Sequence, residues 1–303
     1  MSQAAPPPPP EKPLNSRIGT KIADRYAILS LLGEGGIGSV FLADDTATGT
    51  KVAIKLLKAD SVDDPVVIAR FDREAKTMTE LNHENIVRAL AFGRSPEGDL
   101  CLVLEYVPGE TLRTLLKRAK PFPVHGTLDV SRQVASALAR AHETGVVHRD
   151  LKPENIMVTW LDQTRPFIKM LDFGMARLLT GAGGVQLTRK GAIFGTPEYM
   201  PPEQAMGQPV DARADQYAFG VMIYEMIAGE RPFKAKSALE MVQHQIRQTP
   251  PSLADKVPGT PPAVANVVAK MLAKKADDRF PDVQSAYQAL SDGYQAAAPR
   301  SVR

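Results

Sequence analysis

Cysteine is almost missing from this 303-residue chain, where Cys101 stands alone. A single thiol excludes any internal disulfide and with it the stapled frameworks of small secreted domains, so a reducing, cytoplasmic setting is expected. Cys101 lies in the apolar run Leu100-Cys101-Leu102-Val103-Leu104 and reads as a buried structural thiol. Long hydrophobic runs are missing as well. The best of them, Tyr217 to Gly229, contains Glu225 and falls short of the ~20 residues that span a bilayer. A buried core helix is expected there, and no membrane contact from this segment. The N-terminus lacks the basic-then-apolar order of a signal peptide. Charge of one sign is also scarce: 37 Lys and Arg face 34 Asp and Glu, for a formal net charge of +3, and no basic run suits nucleic acid. What remains, 44% hydrophobic and 23% charged, is an ordinary soluble composition, long enough for one large core or two smaller lobes.

Residues 1–20 are proline-rich, with Pro6 to Pro10 unbroken. Proline lacks a backbone donor and favours extended structure, which predicts a disordered or stiff leader, a linker first and a ligand for a proline-binding module second. From Tyr26 the pattern turns strand-like. Tyr26 to Leu32 leads into Gly33-Glu34-Gly35-Gly36-Ile37-Gly38, and Ser39 to Ala43 resumes at once. Strand, glycine loop and strand argue for a hairpin whose backbone approaches a ligand closely, and against the strand-to-helix turn of a dinucleotide fold. In Val52-Ala53-Ile54-Lys55-Leu56, period-two alternation puts Ala53 and Lys55 on one face. Asp63-Asp64-Pro65 is a helix start, and the helix should reach about Leu81. Its stripe of Phe71, Met78 and Leu81 includes Glu74, an inward carboxylate that needs a cation, with Lys55 the candidate.

Ile86 to Leu90 and Leu100 to Val107 read as a hairpin turning at Ser95–Asp99, and Pro108-Gly109 ends the strand-rich segment. Beyond it the spacing is mostly helical, with one helix from Leu128 to Thr144 closed by Gly145. A strand-rich part before a helical one predicts two lobes with a cleft, the usual place for a small-molecule site.

The densest polarity is His148-Arg149-Asp150-Leu151-Lys152-Pro153-Glu154-Asn155, directly after Val146-Val147. Unpaired charges are poor core material, so these groups are either an exposed loop or the hub of a site. Ile168 to Leu171 then lead into Asp172-Phe173-Gly174, and Gly195-Thr196-Pro197-Glu198-Tyr199 and Pro201-Pro202-Glu203 follow. Taken in order with the glycine loop and Val52-Ala53-Ile54-Lys55, these motifs resemble the Hanks-type (eukaryotic-like) protein kinases, closest to the bacterial serine/threonine branch. The resemblance covers residues 26 to about 290.

It implies an α+β, bilobal kinase fold: a small lobe over 21–107 with an antiparallel sheet and one long helix, and a mainly helical large lobe over 108–292. The activation segment would be 172–203 and a flexible tail 293–303. The resemblance also implies roles. Leu32, Gly33, Glu34, Gly35, Gly36 and Gly38 would cover ATP, and Lys55, held by Glu74, would neutralise its phosphates. Val40, Ala53 and Met157 would sandwich the adenine, with Leu104 as gatekeeper and Glu105 and Val107 as hinge. Asn155 and Asp172 would bind Mg²⁺, or Mn²⁺ in its place. Asp150 would accept the substrate hydroxyl's proton and Lys152 would stabilise the moving phosphate. Lys152 paired with Thr196 points to Ser/Thr of proteins as acceptors, and Arg149 would pair with a phosphorylated activation loop, Thr188 being the candidate site.

Glu203 with Arg279 would be a buried pair, Asp215 would bond the backbone near His148, and Met78, His148 and Phe173 would stack. His142 and His148 read as core histidines rather than metal ligands. Pro201, Ile37 and Ala276 depart from the family pattern without removing a needed charge. The rival readings are a pseudokinase scaffold and, third, a small-molecule kinase. A homodimer for trans-autophosphorylation and a longer, membrane-anchored parent protein are further expectations from relatives.

Overall fold

Alternating apolar residues between Tyr26 and Leu57 build one antiparallel sheet. The computed structural model describes residues 17–35, 38–57, 65–95, 98–162, 164–173 and 196–297, and they divide into two compact units. The first takes in residues up to Asp72 together with Ala89–Tyr106. Its six strands are β1 (Lys21–Ile22), β2 (Tyr26–Gly35), β3 (Gly38–Asp45), β4 (Thr50–Leu57), β5 (Ala89–Arg94) and β6 (Leu100–Glu105). Their order is β1-β2-β3-β4-β6-β5, every neighbouring pair antiparallel. Ile28, Phe41, Ala43, Val52, Ile54, Cys101 and Val103 form its core, since a period of two sends alternate residues to one face. Cys101 is buried, as its apolar run predicts. The β3–β4 turn is held by Asp45, which accepts from Arg25 Nε and Nη2 at 2.7 Å each and from the Ala47 N–H at 3.0 Å. The Arg25 bond holds its carboxyl well below the usual range.

The helix α1 (Pro65–Glu80) agrees with the sequence expectation to within a residue or two. Phe71, Glu74, Ala75 and Met78 are all buried along it, so the carboxylate does lie in the apolar stripe. The strand pattern from Ile86 is different. It predicts a strand over Ile86 to Leu90, but β5 starts only at Ala89. Ile86 instead bridges to Met170, and the Val87 N–H donates to the Met170 carbonyl at 2.9 Å. Residues 73–88 accordingly group with the second unit.

The second unit also contains a small antiparallel sheet of β7 (Glu110–Thr111), β8 (Ile156–Trp160) and β9 (Pro166–Met170). Its described helices are α2 (Leu112–Arg118), α3 (Val124–Glu143), α4 (Pro202–Ala205), α5 (Ala212–Ala228), α6 (Ala238–Arg247), α7 (Leu253–Lys256), α8 (Pro262–Met271) and α9 (Val283–Ala297). The α3 helix begins a turn before the predicted start and ends where Gly145, at φ +75°, takes the left-handed conformation that favours glycine. Every residue of α5 from Ala214 to Ile227 is buried. A helix apolar on all sides belongs in the middle of a core, which is the place its sequence predicts. Gly220 allows the close packing of α5, because a Cβ there would meet Met271 Cβ at 2.8 Å. A polar clamp fixes α3 to β9: Asn85 Nδ2 donates to Gln133 Oε1 and to the Ile168 carbonyl at 2.9 Å each, and the Ile168 N–H donates to Gln133 Oε1. The two units together are the α+β arrangement that the sequence predicts.

Candidate active site

The polar stretch after Val147 is neither simple loop nor buried core. Pro153–Asn155 form one turn of 3-10 helix that delivers the chain into β8. Upstream, Asp215 near the start of α5 supports the backbone. Its carboxylate is 1% exposed and accepts from the His148 N–H at 2.8 Å, the Arg149 N–H at 2.9 Å and His142 Nε2 at 2.8 Å. Burial works against its charge, yet the His142 hydrogen bond, joined by the His148 N–H, keeps the carboxyl below its ordinary value. These bonds hold Arg149 at φ +66°, a strained backbone for a residue with a side chain.

His148 is also fully buried. Its Nε2 lies 2.9 Å from the Leu171 carbonyl, which can only accept, so that nitrogen carries the hydrogen and Nδ1 faces the Asp150 N–H at 3.3 Å. Its ring meets that of Phe173 with centroids 4.6 Å apart. Among the described residues no group of three or more His, Cys, Asp or Glu could hold a metal ion.

At the centre, Asp150 Oδ2 accepts from Lys152 Nζ at 2.7 Å and from Asn155 Nδ2 at 3.2 Å. Asn155 Nδ2 also donates to the Asp150 carbonyl at 2.8 Å. Both of the side-chain contacts engage Oδ2 of the Asp150 carboxylate. With both amide hydrogens of Asn155 taken, its Oδ1 remains as a hard oxygen donor. Asp172, half-buried at φ +60°, is the second such donor. Mg²⁺ needs only one or two protein ligands beside phosphate oxygens and water, so this donor set fits it. Lys152 Nζ reaches Thr196 Oγ1 at 3.0 Å, linking the stretch to the Pro197–Tyr199 turn. Arg149, Asp150, Leu151, Thr196, Tyr199, Met200 and Gln204 line one small pocket. Thr188 and Gly36 lie outside the described residues.

In the first unit, Leu32, Gly33, Glu34 and Gly35 end β2, while Gly38 and Val40 begin β3. Lys55 is buried on β4, opposite Val40 on one side and Leu102 on the other; Ala53 pairs with Leu42 and Leu104. Gly38 permits the approach of β3 to β4, since an added Cβ would lie 1.9 Å from the Leu56 carbonyl oxygen. Leu104 is buried and Glu105 half-buried at the end of β6. In the second unit, Val107 is half-buried and Met157 lies on β8.

A family model described as protein kinase domain matches residues 26–294. The chain belongs to the protein kinase family. Serine/threonine-protein kinase pkn3 of Myxococcus xanthus is 40% identical over 265 residues, covering 86% of this chain and 48% of that protein. Serine/threonine-protein kinase PknA of Mycobacterium tuberculosis is 37% identical over 271 residues, covering 88% and 61%. The crystal structure of the Mycobacterium tuberculosis PknI kinase domain superposes with a TM-score of 0.71 at 26% identity, covering 91% of this chain and 98% of that one. The chain spans about half the length of the curated relatives it matches.

Glu203 and Arg279 form the buried pair that the family pattern implies, two parallel bonds of 2.7 Å each. Arg279 also donates to the Arg213 carbonyl at 2.7 Å and to the Ala273 carbonyl at 3.0 Å, so its charge is fully accommodated. A second, partly buried cluster ties two of the motifs to α2 and α5. Arg113 of α2 donates to Glu154 at 2.7 Å and to Glu225 at 2.6 Å, and it also bonds the Tyr199 hydroxyl, which bonds Glu225. Burial pushes the Tyr199 phenol up, keeping it protonated as a donor. Glu154 and Tyr199 of this cluster stand in quoted motifs, whereas the signal for Glu225 is that a carboxylate inside an apolar run requires a cation from elsewhere.

Proposed function

We propose that this chain is an ATP-dependent protein serine/threonine kinase. The observation that carries it is Lys152 Nζ bridging Asp150 Oδ2 and Thr196 Oγ1 in a chain of the protein kinase family. An ammonium between the carboxylate and the acceptor segment neutralises charge where phosphate oxygens would pass, and it aims Asp150 at a hydroxyl. Asp150 orients the Ser or Thr hydroxyl and takes its proton. Asn155 and Asp172 are the residues that would hold Mg²⁺, with Mn²⁺ as the alternative; the metal, when bound, supplies electrostatic neutralisation of the phosphates.

The nucleotide assignments follow from family membership. Gly33, Gly35 and Gly38 with the adjoining Leu32, Glu34 and Gly36 serve the phosphates. Lys55, oriented by Glu74, serves their charge, and Val40, Ala53, Leu104, Glu105, Val107 and Met157 serve the adenine. Thr188 is the proposed autophosphorylation site and Arg149 its reader, in trans between two copies. The proposed setting is cytoplasmic. Separately, no helix among the described residues is long and apolar enough to cross a membrane.

The test is phosphate transfer from radiolabelled ATP with Mg²⁺ to a generic protein substrate, followed by mapping of phosphosites. Transfer to Ser or Thr that disappears in Asp150→Asn is the expected result. Absence of transfer, with the parent chain indistinguishable from Asp150→Asn, would replace the enzyme reading with a nucleotide-binding scaffold.

A further inference from the structure

The Pro197–Tyr199 turn carries no ligand chemistry of its own, yet its position decides where Thr196 stands. A polar chain reaches it through α5, α6 and the segment after α8. Lys274, half-buried after α8, donates from Nζ to the Tyr217 hydroxyl at 3.0 Å and to the Gln245 carbonyl at 2.8 Å. The Tyr217 hydroxyl donates in turn to Gln245 Oε1 at 2.7 Å. Gln245 Nε2 then donates to two successive carbonyls, Pro197 at 3.1 Å and Glu198 at 2.6 Å. Tyr217 and Gln245 are both 0% exposed.

The direction of this chain is forced. Carbonyls only accept, so the amide nitrogen must face the turn and the amide oxygen must face Tyr217. Tyr217 has one hydrogen, and giving it to Gln245 requires an acceptor role toward Lys274. Lys274 has no hydrogen-bond acceptor when protonated, so it sets the sense of the whole relay. The cation is further held over the Tyr217 and Phe233 rings, at 5.4 and 4.7 Å from their centroids.

We propose that Gln245, oriented by Lys274 through Tyr217, is a positioning residue for phosphoryl transfer, holding the Pro197–Glu198 backbone so that Thr196 stays against Lys152. The inference rests on the kinase reading above and names a residue that acts through Thr196 without touching substrate. Gln245 is the right residue for the task. It bonds two adjacent carbonyls and therefore fixes the rotation of the turn as well as its distance from α6. Glutamate of the same shape would set an acceptor against two acceptors.

The experiment compares the parent chain with Gln245→Met and Gln245→Glu in the Mg²⁺–ATP transfer assay, reading kcat, the KM for ATP, and amide hydrogen exchange over residues 196–200. Loss of an aligned contact worth a typical buried hydrogen bond predicts a kcat fall of about ten-fold, a KM for ATP within about two-fold, and faster exchange in that segment. Lys274→Met, which leaves the Gln245 side chain in place, should move the same quantities in the same direction. An unchanged kcat in a folded Gln245→Met protein overturns the proposal, as does a KM for ATP that rises in step with the fall. Failure of both Gln245→Met and Lys274→Met to fold overturns it too, because the relay would then hold the fold rather than the turn. A parent chain that transfers no phosphate at all defeats the kinase reading instead, and the two failures are distinct.

Discussion

Replacing Asp215 with alanine should disable the catalytic stretch while leaving its residues intact. The carboxylate accepts from the His148 and Arg149 N–H groups and from His142, at a position that is 1% exposed. Alanine strands two backbone donors where water does not reach. Each unsatisfied buried group costs about 1–3 kcal/mol, giving about 2–6 kcal/mol for the pair. That is a large part of a typical stability of roughly 5–15 kcal/mol. The Arg149 backbone at φ +66° adds to the pressure, since a left-handed residue costs roughly 1–2 kcal/mol and Asp215 is what opposes its relaxation. At roughly 2 °C per kcal/mol for a chain of this size, the melting temperature should fall by about 4–12 °C, with transfer activity lost below that temperature. His142→Ala removes only one bond of the three and should cost about 1 kcal/mol. Calorimetry on both variants and the parent, with kcat measured alongside, checks the ordering. A melting temperature for Asp215→Ala within about 1 °C of the parent, with activity retained, would refute the reasoning.

Gly38→Ala should lower stability by about 1–3 kcal/mol and weaken transfer, because the new Cβ sits 1.9 Å from a backbone oxygen of β4 and no side chain can yield; thermal melts and kcat report it. Glu203→Ala strands a fully buried Arg279 and should cost about 3–5 kcal/mol, measured by denaturant unfolding. The pH dependence of stability should carry a mark of Lys274. Burial, then the charge of Arg279, lowers its pKa to about 8 from the ordinary 10.5. The unfolded chain therefore binds more protons between those values, so this group makes stability rise with pH from about 8 to about 10.5. The Tyr217 phenol, raised by burial, stays protonated over that window. A Lys274→Met protein should lose this rise in pH-dependent unfolding.

What the sequence by itself determined is the chemistry and its order along the chain. Asp150, Lys152 and Asn155 are legible through the ordered set of motifs that share the family pattern, since their own eight residues leave an exposed loop equally open. The core helix α5 and the buried Glu74 are legible because helical periodicity is local. Tertiary structure decided which other distant groups support that site. Arg113 is 112 positions from Glu225, whereas the contact of Asp215 with backbone more than 60 positions away is one that the family resemblance already implies. Gln245 is 47 positions from the carbonyl of Glu198. The start of β5 also belonged to tertiary structure. Ile86 has the residue type of a strand, yet its neighbour's N–H finds its acceptor on Met170, and a backbone group must bond where a partner exists. Local pattern specifies which elements form. The pairing of buried polar groups, set by which elements meet, specifies where the reacting residues stand.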